Sequence, residues 1–277
     1  MRDFPGASSP ALVSFGSAGT VLTMDFIRER NTLLIRGDCG PILSACSHHL
    51  VKHRLALEPE QFRMLKDYIA VFALHCASRP SSERLAWTLN FRAPNLTMSL
   101  IGDNENGWVT GRIFSGNVAR VTENIFCSDA TTRTMGAVPR RSLVTFADTD
   151  AIATVEHYYC ASEQRPARFL HLGDNQIAAL ISHPDCDEKW MRTVSLSEVR
   201  ALAGHEILTN LQRRNYRWHC NCNQGQILGV MAATAREDMD AVFGEAEATD
   251  VQCPRCAARY SFTREMMETY LATVDQR

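Results

Sequence analysis

Arg217-Trp-His-Cys-Asn-Cys-Asn and Val251-Gln-Cys-Pro-Arg-Cys-Ala-Ala-Arg-Tyr carry four cysteines as two local pairs, Cys220 with Cys222 and Cys253 with Cys256. A C-x-C pair and a C-x-x-C pair, each on its own turn, supply the four thiolates of a tetrahedral zinc site, the ion clipping the two turns together. The same four sulfurs are also capable of redox chemistry. Zinc on four thiolates carries a local charge of about −2 and calls for cations nearby. Arg217, His219, Arg255 and Arg259 adjoin the ligands in sequence, and His219 is an alternative ligand to one of the cysteines. The segment around the pairs is below the size at which an apolar core alone is dependable. One zinc ion would supply much of its folding free energy, on the order of 10 kcal/mol in small zinc peptides. From spacing alone, an inert zinc staple is the simpler outcome.

The rest of the chain narrows what such a module serves. At 277 residues, 45% apolar and 22% charged, it has the composition of a globular protein with room for one main domain and a small second one. A net charge of −2 disfavours nucleic-acid binding through a uniformly basic surface. No apolar run approaches the roughly 20 residues of a membrane helix, and Met1-Arg-Asp-Phe-Pro-Gly lacks the features of a signal peptide, so a cytoplasmic protein with no membrane partner is expected. In a reducing compartment ten cysteines read as metal ligands, redox thiols or core residues rather than a fixed disulfide framework.

The expected class is α+β: an N-terminal α/β sandwich-like domain over residues 1–183, a helical linker over 184–216 and a small C-terminal zinc-binding module over 217–277. Residues 1–18 read as a loose Pro, Gly and Ser-rich arm. Thr20-Val-Leu-Thr-Met-Asp-Phe-Ile and Thr32-Leu-Leu-Ile-Arg flank a turn and predict a hairpin. Helices are expected over 41–53 and from Pro59, where Phe62, Leu65, Ile69, Phe72 and Cys76 form one apolar stripe that makes Cys76 a core thiol. Strands follow at 85–91, 96–101 and from Trp108, the last after the turn Asp103-Asn-Glu-Asn-Gly. Residues 115–141 carry no clear signal. A strand at 142–146, a helix over 152–163 and strands at 167–172 and 176–182 complete the main domain. Ser195 and Glu198 have capping-box spacing, and Val199, Leu202, Ala203, Ile207 and Leu211 predict an amphipathic helix reaching residue 211. Inside the module a helix is expected from Gln224. Thr234 and Glu237 predict the start of a second helix ending at Gly244, and a last helix carries Met266, Met267, Tyr270 and Leu271.

These residues resemble the redox-regulated holdase chaperone family of heat shock protein 33. The resemblance is carried by Cys220-Asn-Cys, the helical insert with Arg236-Glu-Asp-Met, Val251-Gln-Cys-Pro-Arg-Cys and Arg259-Tyr-Ser-Phe-Thr-Arg-Glu. His157-Tyr-Tyr-Cys-Ala-Ser-Glu-Gln-Arg-Pro and Asp103-Asn-Glu-Asn-Gly-Trp-Val-Thr-Gly-Arg extend it into the main domain. It implies an ATP-independent chaperone, inactive when reduced with one zinc ion on Cys220, Cys222, Cys253 and Cys256. It also implies activation by oxidation, with Cys220–Cys222 and Cys253–Cys256 disulfides, zinc release and exposure of apolar surface to unfolding client proteins. The active form in such a family can be a homodimer. A Cys220–Cys222 bond, spanning one residue, would be strained and easily reduced, which suits a reversible switch.

Two rivals come from other classes. One is a constitutive zinc-stapled protein that binds a protein partner or nucleic acid without switching, for which Arg213-Arg-Asn-Tyr-Arg-Trp-His offers a basic and aromatic surface. The other is an enzyme, disfavoured because the chain has no P-loop, no G-x-G-x-x-G and no G-x-S-x-G, and because His205-Glu lacks the second histidine of H-E-x-x-H. His48, His49 and His53 form the one histidine cluster, read as the polar face of a helix.

Overall fold

The hairpin expected from the first alternating segment forms: β1 (Thr20–Ile27) pairs antiparallel with β2 (Thr32–Asp38), Ile27 opposite Thr32. The structure is a computed structural model and describes residues 19–275 apart from 133 and 135. The arm expected over residues 1–18 lies outside the described residues. Next come α1 (Gly40–Lys52) and α2 (Pro59–Ser78), the latter with Pro59 in its first turn and a capping box between Glu58 and Gln61. Strands β3 (Glu83–Phe91), β4 (Leu96–Asp103) and β5 (Trp108–Phe114) make an antiparallel meander. They are followed by β6 (Asn124–Thr132) and β7 (Arg140–Phe146). Helix α3 (Ala151–Ala161), capped by the Asp150 carboxylate, leads to β8 (Ala167–His171) and β9 (Gln176–Ser182). After α4 (Glu188–Thr193) and α5 (Leu196–Ala201) the chain enters β10 (Leu208–Trp218). The module holds α6 (Gln224–Glu237), α7 (Met239–Phe243), β11 (Ala248–Gln252), β12 (Arg259–Thr263) and α8 (Arg264–Asp275). The α+β class is as expected. β6 and α4 had not been expected: β6 alternates only weakly, and α4 is too short to show a period.

Ten strands form one sheet in the order β7-β6-β3-β4-β5-β10-β1-β2-β9-β8. Helix α2 lies on one face, and Leu65, Ile69, Phe72, Leu74 and Cys76 are fully or almost fully buried in that core. Each large apolar side chain so buried contributes about 1.5–3 kcal/mol. Strands β2 and β9 are apolar on both faces: Leu33, Ile35, Ala179 and Ile181 face the α2 core, while Leu34, Ala178 and Leu180 face a second core with Met191, Val194, Val199 and Leu202. Helices α4 and α5 therefore cover the back of the sheet.

The helix expected through residue 211 is corrected. It ends by Gly204, and 208–218 is a strand paired with β1 from Ile27↔Leu208 to Thr20↔Tyr216. The register slips between Met24↔Gln212 and Asp25↔Asn210, which leaves Leu211 as the extra residue of a bulge. Ile207 and Leu211, the two residues that extended the apparent helical stripe, are exposed at 57% and 54%. Partners some 185 positions away override a local period of 3.6, because a gap in the sheet has backbone donors and acceptors to satisfy.

Strand β10 is locked in place by two devices. Arg217 and Trp218 pair parallel with Trp108 and Val109, and this needs Gly107, whose φ is +59° and whose absent Cβ would lie 2.4 Å from the Asn215 carbonyl oxygen. The Tyr216 hydroxyl donates to Asn104 Oδ1 at 2.8 Å, and Asn104 Nδ2 donates to the carbonyls of Cys76 at 2.8 Å and Pro80 at 3.0 Å. Arg214 Nη1 adds a bond to the Arg79 carbonyl at 2.7 Å. The strand that leads into Cys220 thus caps the C-terminus of the main core helix, where carbonyls lack intrahelical partners.

A four-cysteine candidate metal centre docked on the main sheet

Cys220 and Cys222 lie on the irregular segment after β10, and Cys253 and Cys256 on the turn between β11 and β12. The second turn is held by Cys253 N–H donating to the Ala258 carbonyl at 2.8 Å and Ala257 N–H donating to the Cys253 carbonyl at 2.9 Å. Ala257 takes a left-handed φ of 63° to close it. The Arg255 amide points at Cys253 Sγ, 3.4 Å away. On the first turn Asn223 caps α6 by accepting from Gln226 N–H at 2.9 Å, so the helix starts immediately after the cysteine pair.

The four sulfurs all lie within 4.8 Å of one another, with Cys253 and Cys256 buried and Cys220 and Cys222 partly buried. Cys220 Sγ is 3.9 Å from Cys253 Sγ, and Cys222 Sγ is 3.5 Å from Cys256 Sγ. A tetrahedron with Zn–S bonds near 2.3 Å has sulfurs about 3.8 Å apart, so donor type, number and spacing fit a tetrathiolate ion site. The four cysteines lie close enough to bind a metal ion. Sulfurs this close also share protons. Cys222 is lowered to about 7 by a hydrogen bond from Cys220 first, and Cys253 is held far below the ordinary thiol range, again by Cys220 first. Cys220 and Cys256 are raised as the donors of those bonds. The Tyr260 hydroxyl donates to Cys222, with its sulfur at 3.2 Å and its carbonyl at 3.1 Å.

His219 stands outside the sulfur cluster: its ring sits edge-on to Trp108, and its amide donates to the Val109 carbonyl at 3.1 Å. Arg217, Arg255 and Arg259 are exposed. The cation that meets the centre comes instead from β5. Arg112 Nη1 donates to the Cys253 carbonyl at 2.8 Å and Nη2 to Gln252 Oε1 at 2.9 Å. From α1, His49 Nε2 donates to the Cys256 carbonyl at 2.8 Å, and His53 Nδ1 accepts the Arg259 amide at 3.3 Å. The histidine pair read as a polar helix face is thus a docking surface for the second cysteine turn. The only local hint was the i, i+4 spacing of His49 and His53, and Arg112 carried no hint. A cavity of about 300 Å³ remains where the module meets the main domain, lined by Leu50, Leu57, Leu65, Ile113, Phe114 and Ala257 among others.

The second helix of the module does not begin at Thr234. Helix α6 runs on to Glu237, and α7 starts from Asp238, whose carboxylate accepts from the amides of Asp240 and Ala241. Gly244 ends α7 with φ +59°, as expected. The remaining cysteines are dispersed. Cys39, Cys46 and Cys76 are buried, and burial pushes the first two up to about 12. No described helix is long and apolar enough to cross a membrane.

A family model described as Hsp33 protein matches residues 174–263. The 33 kDa chaperonin of Nitrosococcus oceani is 28% identical over 159 residues, covering 50% of this chain and 55% of that protein. The 33 kDa chaperonin of Hahella chejuensis is 27% identical over 140 residues, covering 42% and 49%. The chain thus spans about half the length of these curated relatives in the matched region. The crystal structure of the 33 kDa chaperonin (heat shock protein 33 homologue) of Thermotoga maritima superposes with a TM-score of 0.71 at 13% identity, over 94% of this chain and all of that one, a likeness of fold.

Proposed function

This chain belongs to the Hsp33 family, and from that premise we propose that it is a redox-regulated, ATP-independent holdase chaperone rather than an enzyme. Its clients are unfolding proteins, and it works in the cytoplasm. The observation that carries the proposal is the convergence of Cys220, Cys222, Cys253 and Cys256 within 4.8 Å on two separate turns. These four residues would hold one zinc ion, which supplies the cross-link between the turns. Residues 1–183 are the client-holding core, 184–216 the linker and 217–277 the switch.

The residues themselves explain how oxidation would act. Peroxide removes four electrons from the four thiolates: two S–S bonds form, two O–O bonds break, four protons are taken up and four waters leave. The disulfides are assigned to Cys220–Cys222 and Cys253–Cys256, the pairing the family implies; sulfur proximity alone does not select it, because the cross-pairs are also near. With the thiolates consumed, no donor set holds the ion, and the module's core around Ile227, Leu228, Phe243, Phe262 and Met267 must stand alone. Undocking would uncover Leu50, Leu57 and Ile113, and loss of α4 and α5 would uncover Leu34 and Leu180, apolar surfaces suited to an unfolding client.

The test measures zinc content and suppression of client aggregation on one sample before and after peroxide. One zinc per chain, released by peroxide together with the appearance of holdase activity, is the expected result. Zinc retained through oxidation would leave a constitutive zinc staple. Zinc released without holdase activity would sink the chaperone assignment.

A further inference from the structure

The cavity of about 300 Å³ at the seam between the main sheet and the cysteine module is lined by charges of one sign. Its walls are aliphatic: Leu50 near the end of α1, Leu57 in the loop that follows, Leu65 on α2 and Ile113 on β5. Leu65 and Ile113 belong to the buried core, whereas Leu50 and Leu57 pack against it only partly covered. The charged side chains lining the cavity are Arg112 from the sheet and Arg259 from the module, and no Asp or Glu stands among the lining residues. Arg112 stacks 4.0 Å from the Phe114 ring centroid and directs two of its five N–H donors to uncharged oxygens, the Cys253 carbonyl and Gln252 Oε1. Among the described residues neither arginine pairs with a carboxylate. Two cations beside an apolar hollow, one of them partly buried, form a site that an anion would complete.

We propose that this cavity is a binding site for a small aliphatic monocarboxylate, its head meeting the two arginines and its tail lying along the leucines. Guanidinium groups with no competing carboxylate select an anionic head, and the planar fork of arginine matches the two oxygens of a carboxylate. The leucine walls select an apolar tail, which gains by leaving water. The volume is at the lower end for small-molecule sites, so it takes one short chain and excludes a diacyl lipid. Arg112 and Ile113 belong to the main sheet, and Ala257 and Arg259 to the module, so one ligand touches both sides of the seam. Its binding favours the docked arrangement, because a ligand stabilises the state that holds it. The site uses none of the four cysteine sulfurs, so it goes beyond the chaperone reading and does not rest on it.

Titration calorimetry of the full-length reduced protein with octanoate, hexanoate and octan-1-ol separates head from tail. One octanoate per chain is expected. Each buried methylene is worth about fourfold in affinity, so hexanoate, two methylenes shorter, should bind about sixteenfold more weakly. Octan-1-ol keeps the tail and loses the charge, and should bind about tenfold or more weakly than octanoate. Arg259→Gln removes an exposed cation and should weaken octanoate about fivefold or more, while Leu57→Trp fills the hollow and should abolish binding. In the wild-type chain the Arg259 amide crosses the seam to His53, so its hydrogen exchange should slow with octanoate and not with acetate. Absence of saturable octanoate binding, octan-1-ol binding as tightly as octanoate, or affinity unchanged in both variants overturns the site. The wild-type ligand series decides the matter even where a variant fails to fold.

Discussion

Tyr260→Phe isolates one hydrogen bond at the centre. The hydroxyl donates to Cys222, shared between the sulfur at 3.2 Å and the carbonyl at 3.1 Å. Burial, then the bond to Cys222, raises the phenol's pKa, so it is a neutral donor at pH 7. A hydrogen bond to a charged acceptor is worth about 1.5–3 kcal/mol. Sharing it between two acceptors leaves about 1 kcal/mol for the thiolate, which corresponds to roughly a fivefold change in affinity. Partners behind metal ligands commonly cost about tenfold or more when removed. Zinc should therefore bind about five- to tenfold more weakly to Tyr260→Phe. The ring stays, and so does its stacking at 6.3 Å from Phe262, so unfolding of the module should not confuse the result. Competition against a chromophoric chelator at pH 7 reads the affinity directly. An affinity within twofold of wild type, or tighter, would refute the role given to this hydroxyl.

Three further outcomes are expected. Asn104→Ala takes away the acceptor of the Tyr216 hydroxyl and one donor each from the Cys76 and Pro80 carbonyls, which keep the Arg79 and Glu83 amides, so urea unfolding should show a loss of about 3 kcal/mol; Tyr216→Phe, which orphans only Asn104 Oδ1, should lose about half as much. His75 is fully buried, bonded to the Tyr159 hydroxyl at 2.9 Å, and burial lowers its pKa well below 6.5. Below pH 6.5 the unfolded chain therefore binds a proton that the folded one refuses, so stability should fall by up to about 1.4 kcal/mol per pH unit on acidification, and His75→Gln should flatten that slope in urea titrations at pH 5 to 7. Stripping metal with a chelator under reducing conditions should raise hydrogen exchange across β11, β12, α6 and α8 by tenfold or more while β1, β2 and β9 stay protected; uniform loss of protection would mean the module and sheet unfold as one unit.

Much of this molecule was legible in one dimension. Strand and helix periods at 20–36, 59–78 and 85–114 follow from side chains alternating or repeating along a single element, and both the elements and their buried faces agree with them. The four cysteines were legible because C-x-C and C-x-x-C each bring two sulfurs together within one turn, whatever the rest of the chain does. Tertiary structure decided everything that depended on distant partners. Ser195 to Leu211 carries a helical stripe, yet the sheet needed a strand between β1 and β5, and ladder hydrogen bonds outweighed a weak local propensity. The basic residues adjacent to the cysteines point to solvent, while Arg112, His49 and His53, far away in sequence, reach the second turn. Local spacing can gather ligands because a turn is a local object. What those ligands rest against is set by long-range packing, which no short stretch of sequence records.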